Sequence, residues 1–110
     1  MSKLLTQEIL KKLPPLYTNE NLEPSQIQVV AKFFYPASAA TWYATEFDPK
    51  EGLFFGFINL GDSQMAELGY FSLKELESFK HPKLPALRIE RDKFWNDKTT
   101  LEEVMSFKVS

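Results

Sequence analysis

The sequence has no cysteine, one histidine and only four glycines among its 110 residues. Without cysteine it can form no disulfide, offer no thiolate to a metal and use no cysteine nucleophile, a composition that fits a reducing cytoplasm. The four glycines lack the spacing of a phosphate-binding or dinucleotide-binding loop, which excludes those motifs. We therefore predict that the protein uses no cofactor.

The single histidine is His81, and any Ser-His-Asp triad or histidine-based metal site would have to use it. It lies between Lys80 and Pro82, where a predicted helix ends and where an imidazolium would suit the negative end of the helix dipole. We expect a surface or capping role for it. No stretch has the alternating acidic residues of a calcium loop, so we also predict no metal site.

Long apolar runs and a strong charge of one sign are absent as well. No segment approaches the ~20 apolar residues that a membrane-spanning helix needs. Residues 1–13 lack the apolar run and the cleavage site of a signal peptide. The formal net charge of −2 gives no long-range attraction for phosphate backbones or anionic lipids. We expect a cytoplasmic protein that binds no membrane and for which nucleic acid is a disfavoured partner.

The chain is rich in apolar residues, at 44%, and in aromatic residues, at 15%, which suffices for the core of a single domain over residues 1–110. Hydrophobic patterning and turn formers predict strands over residues 27–35, 41–47, 53–60 and 66–71, and an edge-like strand over 85–91. Gly52 closes a turn that favours positive φ. Gly56 lies inside an apolar strand, which predicts a bulge or the close approach of another group.

Helices are predicted outside these strands. Thr6 can cap a helix through Leu13, and Pro14 stops it. Leu16 and Tyr17, which follow, are expected to pack the chain onto the core.

Two further helices have capping-box spacing at their starts. Ser72 and Thr100 each stand three residues before a glutamate, which predicts helices over residues 73–80 and 100–105, with a frayed end beyond. Together the elements predict an α+β fold: an antiparallel sheet of about four to five strands with short helices at the N-terminus, in the middle and at the C-terminus.

Strict alternation assigns the side chains of the first two strands to faces. In the first strand the better core face holds Ile27, Val29, Ala31, Phe33 and Tyr35. In the second strand one face holds Trp42, Ala44 and Glu46, and the other holds Thr41, Tyr43, Thr45 and Phe47. Each face of the second strand carries an aromatic residue, so the pattern leaves open which one is buried.

The candidate binding surface is aromatic and acidic, because aromatic residues with polar tips favour interfaces. Its residues are Trp42, Tyr43, Glu46, Tyr70, Glu90, Arg91 and Asp92. A second hypothesis is a small enzyme or small-ligand binder that uses Glu46, Glu90 and Arg91 in a cleft floored by Tyr43 and Tyr70. A third hypothesis is a platform for single-stranded nucleic acid, formed by Lys32, Phe33, Phe34, Trp42 and Tyr43. Against all three stands an ordinary structural role, with solvated carboxylates and aromatics that pack across strands.

Six segments that cover nearly the whole chain, in the same order, resemble a known family. They are Leu13-Pro14-Pro15-Leu16-Tyr17, Lys32-Phe33-Phe34-Tyr35-Pro36, Trp42-Tyr43-Ala44-Thr45-Glu46, Phe54-Phe55-Gly56, Glu67-Leu68-Gly69-Tyr70-Phe71-Ser72-Leu73 and Ile89-Glu90-Arg91-Asp92. The chain thereby resembles DUF2958, a family of small bacterial proteins of unknown function often found on plasmids, phages and integrated elements. It departs from the family at Phe94-Trp95, where the resemblance implies a histidine-containing aromatic pair, so a role for that histidine does not transfer.

The resemblance brings no established activity. Its mobile-element setting implies a protein that binds and blocks host machinery, including defence systems, an inference by association. We therefore expect a non-catalytic protein-binding accessory module, such as an inhibitor, that engages a host or element-encoded protein. An exposed edge strand could also pair with a partner strand, or with a second copy to form a homodimer.

Overall fold

A five-stranded antiparallel sheet with three short helices forms the protein in the computed structural model, which describes residues 3–106. The strands are β1 (Ala31–Phe34), β2 (Thr41–Asp48), β3 (Leu53–Asn59), β4 (Glu67–Ser72) and β5 (Glu90–Arg91), and the helices are α1 (Gln7–Lys12), α2 (Leu73–Ser78) and α3 (Leu101–Ser106). The order across the sheet is β4-β3-β2-β1-β5, and every neighbouring pair is antiparallel. The predicted α+β fold is confirmed.

The helices begin at the predicted caps. The Thr6 hydroxyl accepts from the Ile9 N–H at 3.2 Å, and the Ser72 hydroxyl accepts from the Glu75 N–H at 3.2 Å. Thr100 forms the reciprocal pair of a capping box with Glu103. The predicted fraying beyond the last helix lies outside the described residues. None of the helices in residues 3–106 is long and apolar enough to cross a bilayer.

The larger core lies on one side of the sheet, here called the front face. Phe54 lies at its centre, with ring centroids 4.5 Å from Phe47, 5.1 Å from Phe71 and 5.4 Å from Phe33. The N-terminal segment and α2 cover these rings with buried leucines, namely Leu4, Leu5, Leu13 and Leu76. Each buried side chain of this size contributes about 1.5–3 kcal/mol by leaving water, so this face holds the sheet to its helices.

The smaller core lies on the opposite side, the back face. Tyr43 and Phe57 face each other there across β2 and β3. They are covered by Ile27, Val29, Leu101 and Val104, the last two from α3. On the same face, the Lys32 ammonium lies 6.0 Å from the Tyr43 ring centroid and 5.9 Å from that of Trp95, within cation–π range.

The first strand is shorter than predicted, and its assumed single face is wrong. Ile27 and Val29 belong to the back core, whereas Phe33 and Tyr35 belong to the front core. The cause is a detour of residues 27–29, where the Val29 N–H donates to the Thr99 carbonyl and the Leu101 N–H donates to the Ile27 carbonyl. Regular alternation therefore starts only with β1.

A β-bulge in β2 overturns the predicted face of Glu46. Ala44 pairs with Gly56 and Glu46 pairs with Phe55, so Thr45 is an extra residue. Glu46 therefore shares the back face with Tyr43, while Phe47 joins Ala44 on the front face. Gly56 permits this arrangement, because a Cβ there would lie 1.7 Å from the Tyr43 carbonyl oxygen. The predicted close approach at Gly56 is confirmed.

The last strand is also much shorter than predicted. Only Glu90 and Arg91 form β5, and Lys80 and Arg88 form an isolated bridge before it. Between them the His81 ring nitrogen Nδ1 accepts from the Lys83 and Leu84 N–H groups, each at 3.1 Å. His81 therefore caps a turn, the kind of structural role predicted for it.

Candidate functional site

Glu46 is the one charged residue that is buried among residues 3–106, with 3% of its surface exposed. Its Oε1 accepts from the Tyr17 N–H at 3.0 Å and its Oε2 accepts from the Asn19 N–H at 2.7 Å. No lysine or arginine in the described chain pairs with it, since the ion pairs found there both belong to Lys12. The carboxylate is thus held by two backbone donors, which partly offset the cost of its burial.

Tyr17 has a backbone conformation that is rare for a large side chain. Its φ is 73°, in the left-handed region, where a Cβ costs roughly 1–2 kcal/mol. The residue follows Pro14-Pro15, and its side chain is 62% exposed, so the expectation that Tyr17 packs onto the core is wrong. The conformation aims its N–H at Glu46, and strain of this kind is often found at functional sites.

A cavity of about 430 Å³ opens beside these groups on the back face, and we call it the Tyr17–Tyr70 cavity. Its lining combines tyrosines, aliphatic side chains and two carboxylates, and within residues 3–106 it includes no lysine, arginine or histidine. The lining residues that matter below are Tyr17, Glu20, Glu46, Phe55, Leu68 and Tyr70. The Tyr70 ring meets that of Phe55 edge-on, with centroids 5.1 Å apart.

The electrostatics of the cavity are reflected in Tyr70. A hydrogen bond with the Tyr17 hydroxyl is the main cause that raises the pKa of the Tyr70 phenol, and burial adds to it. The negative charges of Glu46 and Glu20 raise this pKa further. The cavity is therefore a region of negative potential between two neighbouring phenols.

The other predicted binding residues lie elsewhere. Trp42 is half-buried on the front face, where it packs against the larger core and lines a cavity of about 580 Å³ with Tyr35 and Phe79. The hydroxyl of Tyr35 is buried there without a hydrogen-bond partner in residues 3–106.

Tyr43 is buried on the back face, between Phe57 and Trp95. Burial raises the pKa of the Tyr43 phenol, and a hydrogen bond with the Thr41 side chain offsets part of this rise. Trp42 and Tyr43 thus lie on opposite sides of the sheet.

The predicted cleft of Glu46, Glu90 and Arg91 does not form. Glu90 and Arg91 lie on β5, which β1 separates from β2, and they line a different cavity of about 520 Å³. Asp92 accepts from the Phe94 N–H at 2.9 Å and so shapes the turn after β5. Of the seven predicted residues, Glu46 and Tyr70 share the Tyr17–Tyr70 cavity, and Tyr70 also lines the front-face cavity with Trp42. The acidic and basic residues of the β5 edge lie in other cavities.

The predicted nucleic-acid platform is not formed either. Phe33 is fully buried on the front face, with Trp42 beside the same core. Lys32 and Tyr43 lie on the back face. Because the five residues are divided between both faces, they offer no continuous surface on which bases could stack.

The two outer edges of the sheet differ strongly. No strand in the described part of the chain pairs with the outer side of β4, which is six residues long. Its back-face side chains Leu68 and Tyr70 are 42% and 48% exposed, and Leu60 and Met65 are exposed just before it. The β5 edge is two residues long and carries Glu90 and Arg91. Short length and charge discourage pairing at β5, whereas β4 lacks such protection apart from Glu67.

Tyr17 is the functional candidate that the sequence reasoning missed. Its segment predicts only the end of a helix at Pro14-Pro15 and the packing of the residues that follow onto the core. The one signal in the sequence is that two of the segments shared with the family contain the contacting residues: the first ends at Tyr17 and the third ends at Glu46. At the predicted departure from the family, Phe94 is 96% exposed, and the Trp95 indole N–H donates to the Val29 carbonyl at 2.8 Å.

Comparison with known proteins bears on the family and leaves the activity open. No curated protein and no solved structure matches the chain. Among residues 3–106, no three histidine, cysteine, aspartate or glutamate side chains are grouped so that they could hold a metal ion. The model of one family, described as "Protein of unknown function (DUF2958)", matches residues 4–107. This match covers nearly the whole chain, including the Tyr17 segment, Glu46 and β4, so the cavity and the strand edge both lie in the region that the family model describes. The chain therefore belongs to the DUF2958 family.

Proposed function

We propose that this protein is a non-catalytic binding module that engages an extended segment of a partner protein along the outer edge of β4. The observation that supports it best is the unpaired six-residue edge of β4 with the exposed side chains of Leu68 and Tyr70. An added strand would gain main-chain hydrogen bonds along this edge and side-chain contacts on alternate residues.

The chemistry around β4 favours a foreign partner over a second copy. The Tyr17–Tyr70 cavity beside β4 carries Glu20 and Glu46 and, in the part of the chain that the structure describes, no cationic lining residue. A basic segment would complement this charge, whereas pairing two copies through β4 would bring two acidic cavities towards the same interface. In the mobile-element setting that the resemblance implies, the partner would be a host or element-encoded protein, including a component of a defence system.

Glu46 acts in this proposal as a structural and electrostatic group. Both of its oxygens already accept from backbone N–H groups, at 3.0 Å and 2.7 Å, and thereby hold residues 17–19 against the sheet. A general acid or base needs a carboxyl group that is free to exchange a proton with a substrate at hydrogen-bond distance. The arrangement therefore supports binding better than bond-making.

The experiment is a selection of peptides from a random library displayed on phage, followed by affinity measurement with variants. Selected peptides are expected to bind the wild-type protein and to lose at least about tenfold in affinity for Leu68→Lys, because a lysine there hinders strand addition at the edge. Leu84→Lys is the matched control, since Leu84 is similarly exposed but lies in the segment before β5. It should bind as the wild type does.

Three results would count against the proposal. One is a selection that yields no binder, and another is a set of binders that are insensitive to Leu68→Lys. The third is a stable dimer in sedimentation that Leu68→Lys dissociates, which would assign the edge to a second copy.

A small-ligand site is the second candidate function, and the cavity favours it. A volume of about 430 Å³ lies within the range of small-molecule pockets, and the lining is apolar with a few polar groups. Native mass spectrometry of the freshly purified protein tests this candidate. A small molecule that co-purifies with the wild type and is lost from Tyr70→Leu would support it.

A further inference from the structure

Two pairs of neighbouring aromatic residues on the back face differ in their charge environment, Tyr43 with Trp95 and Tyr17 with Tyr70, and among residues 3–106 only the first pair has a lysine in cation–π range. Tyr43 and Trp95 have the Lys32 ammonium 6.0 Å and 5.9 Å from their ring centroids. Among the described residues, no lysine or arginine lines the cavity of Tyr17 and Tyr70. The described chain thus places its own ammonium group beside one aromatic pair, and it leaves the other pair exposed to solvent.

The open pair stands beside carboxylates. Glu46 lies buried at one side of the cavity, and Glu20, which is exposed, lines it as well. Both oxygens of Glu46 accept from backbone N–H groups, so this buried carboxylate contributes negative charge to the cavity, and Glu20 is the acidic group that solvent can reach. A positive charge placed in the cavity would meet two negative groups.

The walls of the cavity suit a flat cation. Tyr17 and Tyr70 are both substantially exposed, and the Phe55 ring stands edge-on to Tyr70. Aromatic faces attract cations placed within about 6 Å of their centroids. A guanidinium is planar, stacks on rings, donates in a fork to carboxylates and is less strongly hydrated than an ammonium. An arginine side chain matches these walls better than a lysine does.

The position of the cavity connects it with the edge of the sheet. Leu68 and Tyr70 belong to β4, lie on its back face and line the cavity. A strand added beside β4 would lie about 4.8 Å away and would place alternate side chains on that same face. One such side chain would lie next to the mouth of the cavity.

We propose that the Tyr17–Tyr70 cavity binds the guanidinium of an arginine side chain, presented by the partner segment that docks along β4. This inference rests on the proposed function for the origin of the arginine, and it adds the chemical class that the partner must offer. Tyr17 and Tyr70 flank the guanidinium, and Glu46 and Glu20 balance its charge.

The experiment titrates the wild-type protein with N-acetyl-arginine amide, which carries the guanidinium without a free carboxylate, and follows amide and aromatic NMR signals. Signals of the cavity residues should shift saturably. N-acetyl-citrulline amide, which is nearly isosteric but uncharged, should bind at least about tenfold more weakly because charge-assisted contacts are lost. Equal binding of the two compounds would overturn the inference.

Variants locate the site. Glu20→Gln should weaken binding of N-acetyl-arginine amide by about twofold to fivefold, and Tyr70→Leu by about threefold to tenfold. Glu77→Gln is the matched control for charge, because Glu77 is exposed on α2 and lies away from this cavity, and it should stay within about twofold of the wild type. Glu46→Gln can loosen residues 17–19, so the two other variants decide the outcome. Unchanged affinity in both of them would contradict the site.

The result separates this inference from the proposed function. If library peptides dock on β4 but the arginine amide shifts no cavity signal, the inference fails and the proposed function stands. If the arginine amide binds in the cavity while no peptide depends on Leu68, the proposed function fails, and with it the assignment of the arginine to a docked partner.

Discussion

The backbone N–H of Tyr17 lies 3.0 Å from Oε1 of Glu46, a contact between residues 29 positions apart. It joins Tyr17, the one non-glycine residue with a positive φ among residues 3–106, to the buried carboxylate of β2. The bulge at Thr45 makes the contact possible by turning Glu46 to the back face. A local irregularity in one strand thus builds the cavity beside β4.

The Glu46 carboxylate is predicted to hold residues 17–19 in place. Glu46→Gln keeps the shape of the side chain but replaces one acceptor by a donor, which leaves the N–H of Tyr17 or of Asn19 unsatisfied. The free energy of unfolding should fall by about 1–3 kcal/mol in urea denaturation. Glu51→Gln is the control, because Glu51 is exposed in the turn after β2, and its effect should stay within about 0.5 kcal/mol. Equal stability of the two variants would show that the hydrogen bonds to Glu46 do not stabilise residues 17–19.

The left-handed conformation of Tyr17 predicts an unusual order of stabilities. Tyr17→Ala and Tyr17→Gly both delete the ring, but only glycine adopts a φ of 73° without a steric cost. The glycine variant should therefore be the more stable one by about 1 kcal/mol, the reverse of the order in an ordinary extended segment. Thermal and urea unfolding of the two variants measure the difference. An alanine variant more stable than the glycine variant would exclude strain at this residue.

The close approach at Gly56 predicts a severe effect of one added methyl group. In Gly56→Ala the new Cβ would lie 1.7 Å from the Tyr43 carbonyl oxygen, and because that atom belongs to the backbone of β2, the paired strands themselves would have to shift. Unfolding should become easier by at least about 2 kcal/mol. Gly69→Ala is the matched control in the neighbouring strand, because its nearest contact is the Ile58 Cδ1 at 3.5 Å, an ordinary distance. A mild effect at Gly56 would contradict this close approach of the two strands.

The raised pKa values of Tyr43 and Tyr70 predict a loss of stability at alkaline pH. Burial raises the pKa of Tyr43 above its ordinary 10.0, and the Tyr17 hydroxyl is the first cause of the raised pKa of Tyr70. The folded protein therefore favours the neutral phenols. This stabilisation is fully present below the unfolded pKa near 10 and is lost as pH rises through the higher folded-state values.

Phenolate absorbance in an alkaline titration checks this prediction. Tyr43→Phe and Tyr70→Phe should each remove a component that titrates above the ordinary range, and urea unfolding of the wild type should show the parallel decline in stability. Titration of all tyrosines at their ordinary pKa, without such components, would be the opposite result.

Much of the fold follows from local patterns in the sequence. The caps at Thr6, Ser72 and Thr100 were predictable because a hydroxyl and the first turn of a helix are adjacent in the chain. The turn at Gly52 was predictable for the same reason, and the residue has a φ of 65°. Strand positions followed from apolar alternation.

The site was predictable only in part, because its parts meet through non-local contacts. Alternation without a bulge placed Glu46 on the wrong face, and a one-residue shift reverses every following side chain. A glutamate in an aromatic strand also suggests a solvated group, since burial of a carboxylate needs donors that the strand itself lacks. Those donors come from Tyr17 and Asn19, in a loop whose own sequence indicates only a turn.

Amide hydrogen exchange of β4 tests the central claim most directly. The outer edge of this strand is unpaired in residues 3–106, so amides of residues 67–72 that point outward should exchange fast in the free protein and slow markedly when a selected peptide is bound. The amides of β5 should not change. Tight peptide binding that leaves exchange across residues 67–72 unaltered would contradict docking along this edge.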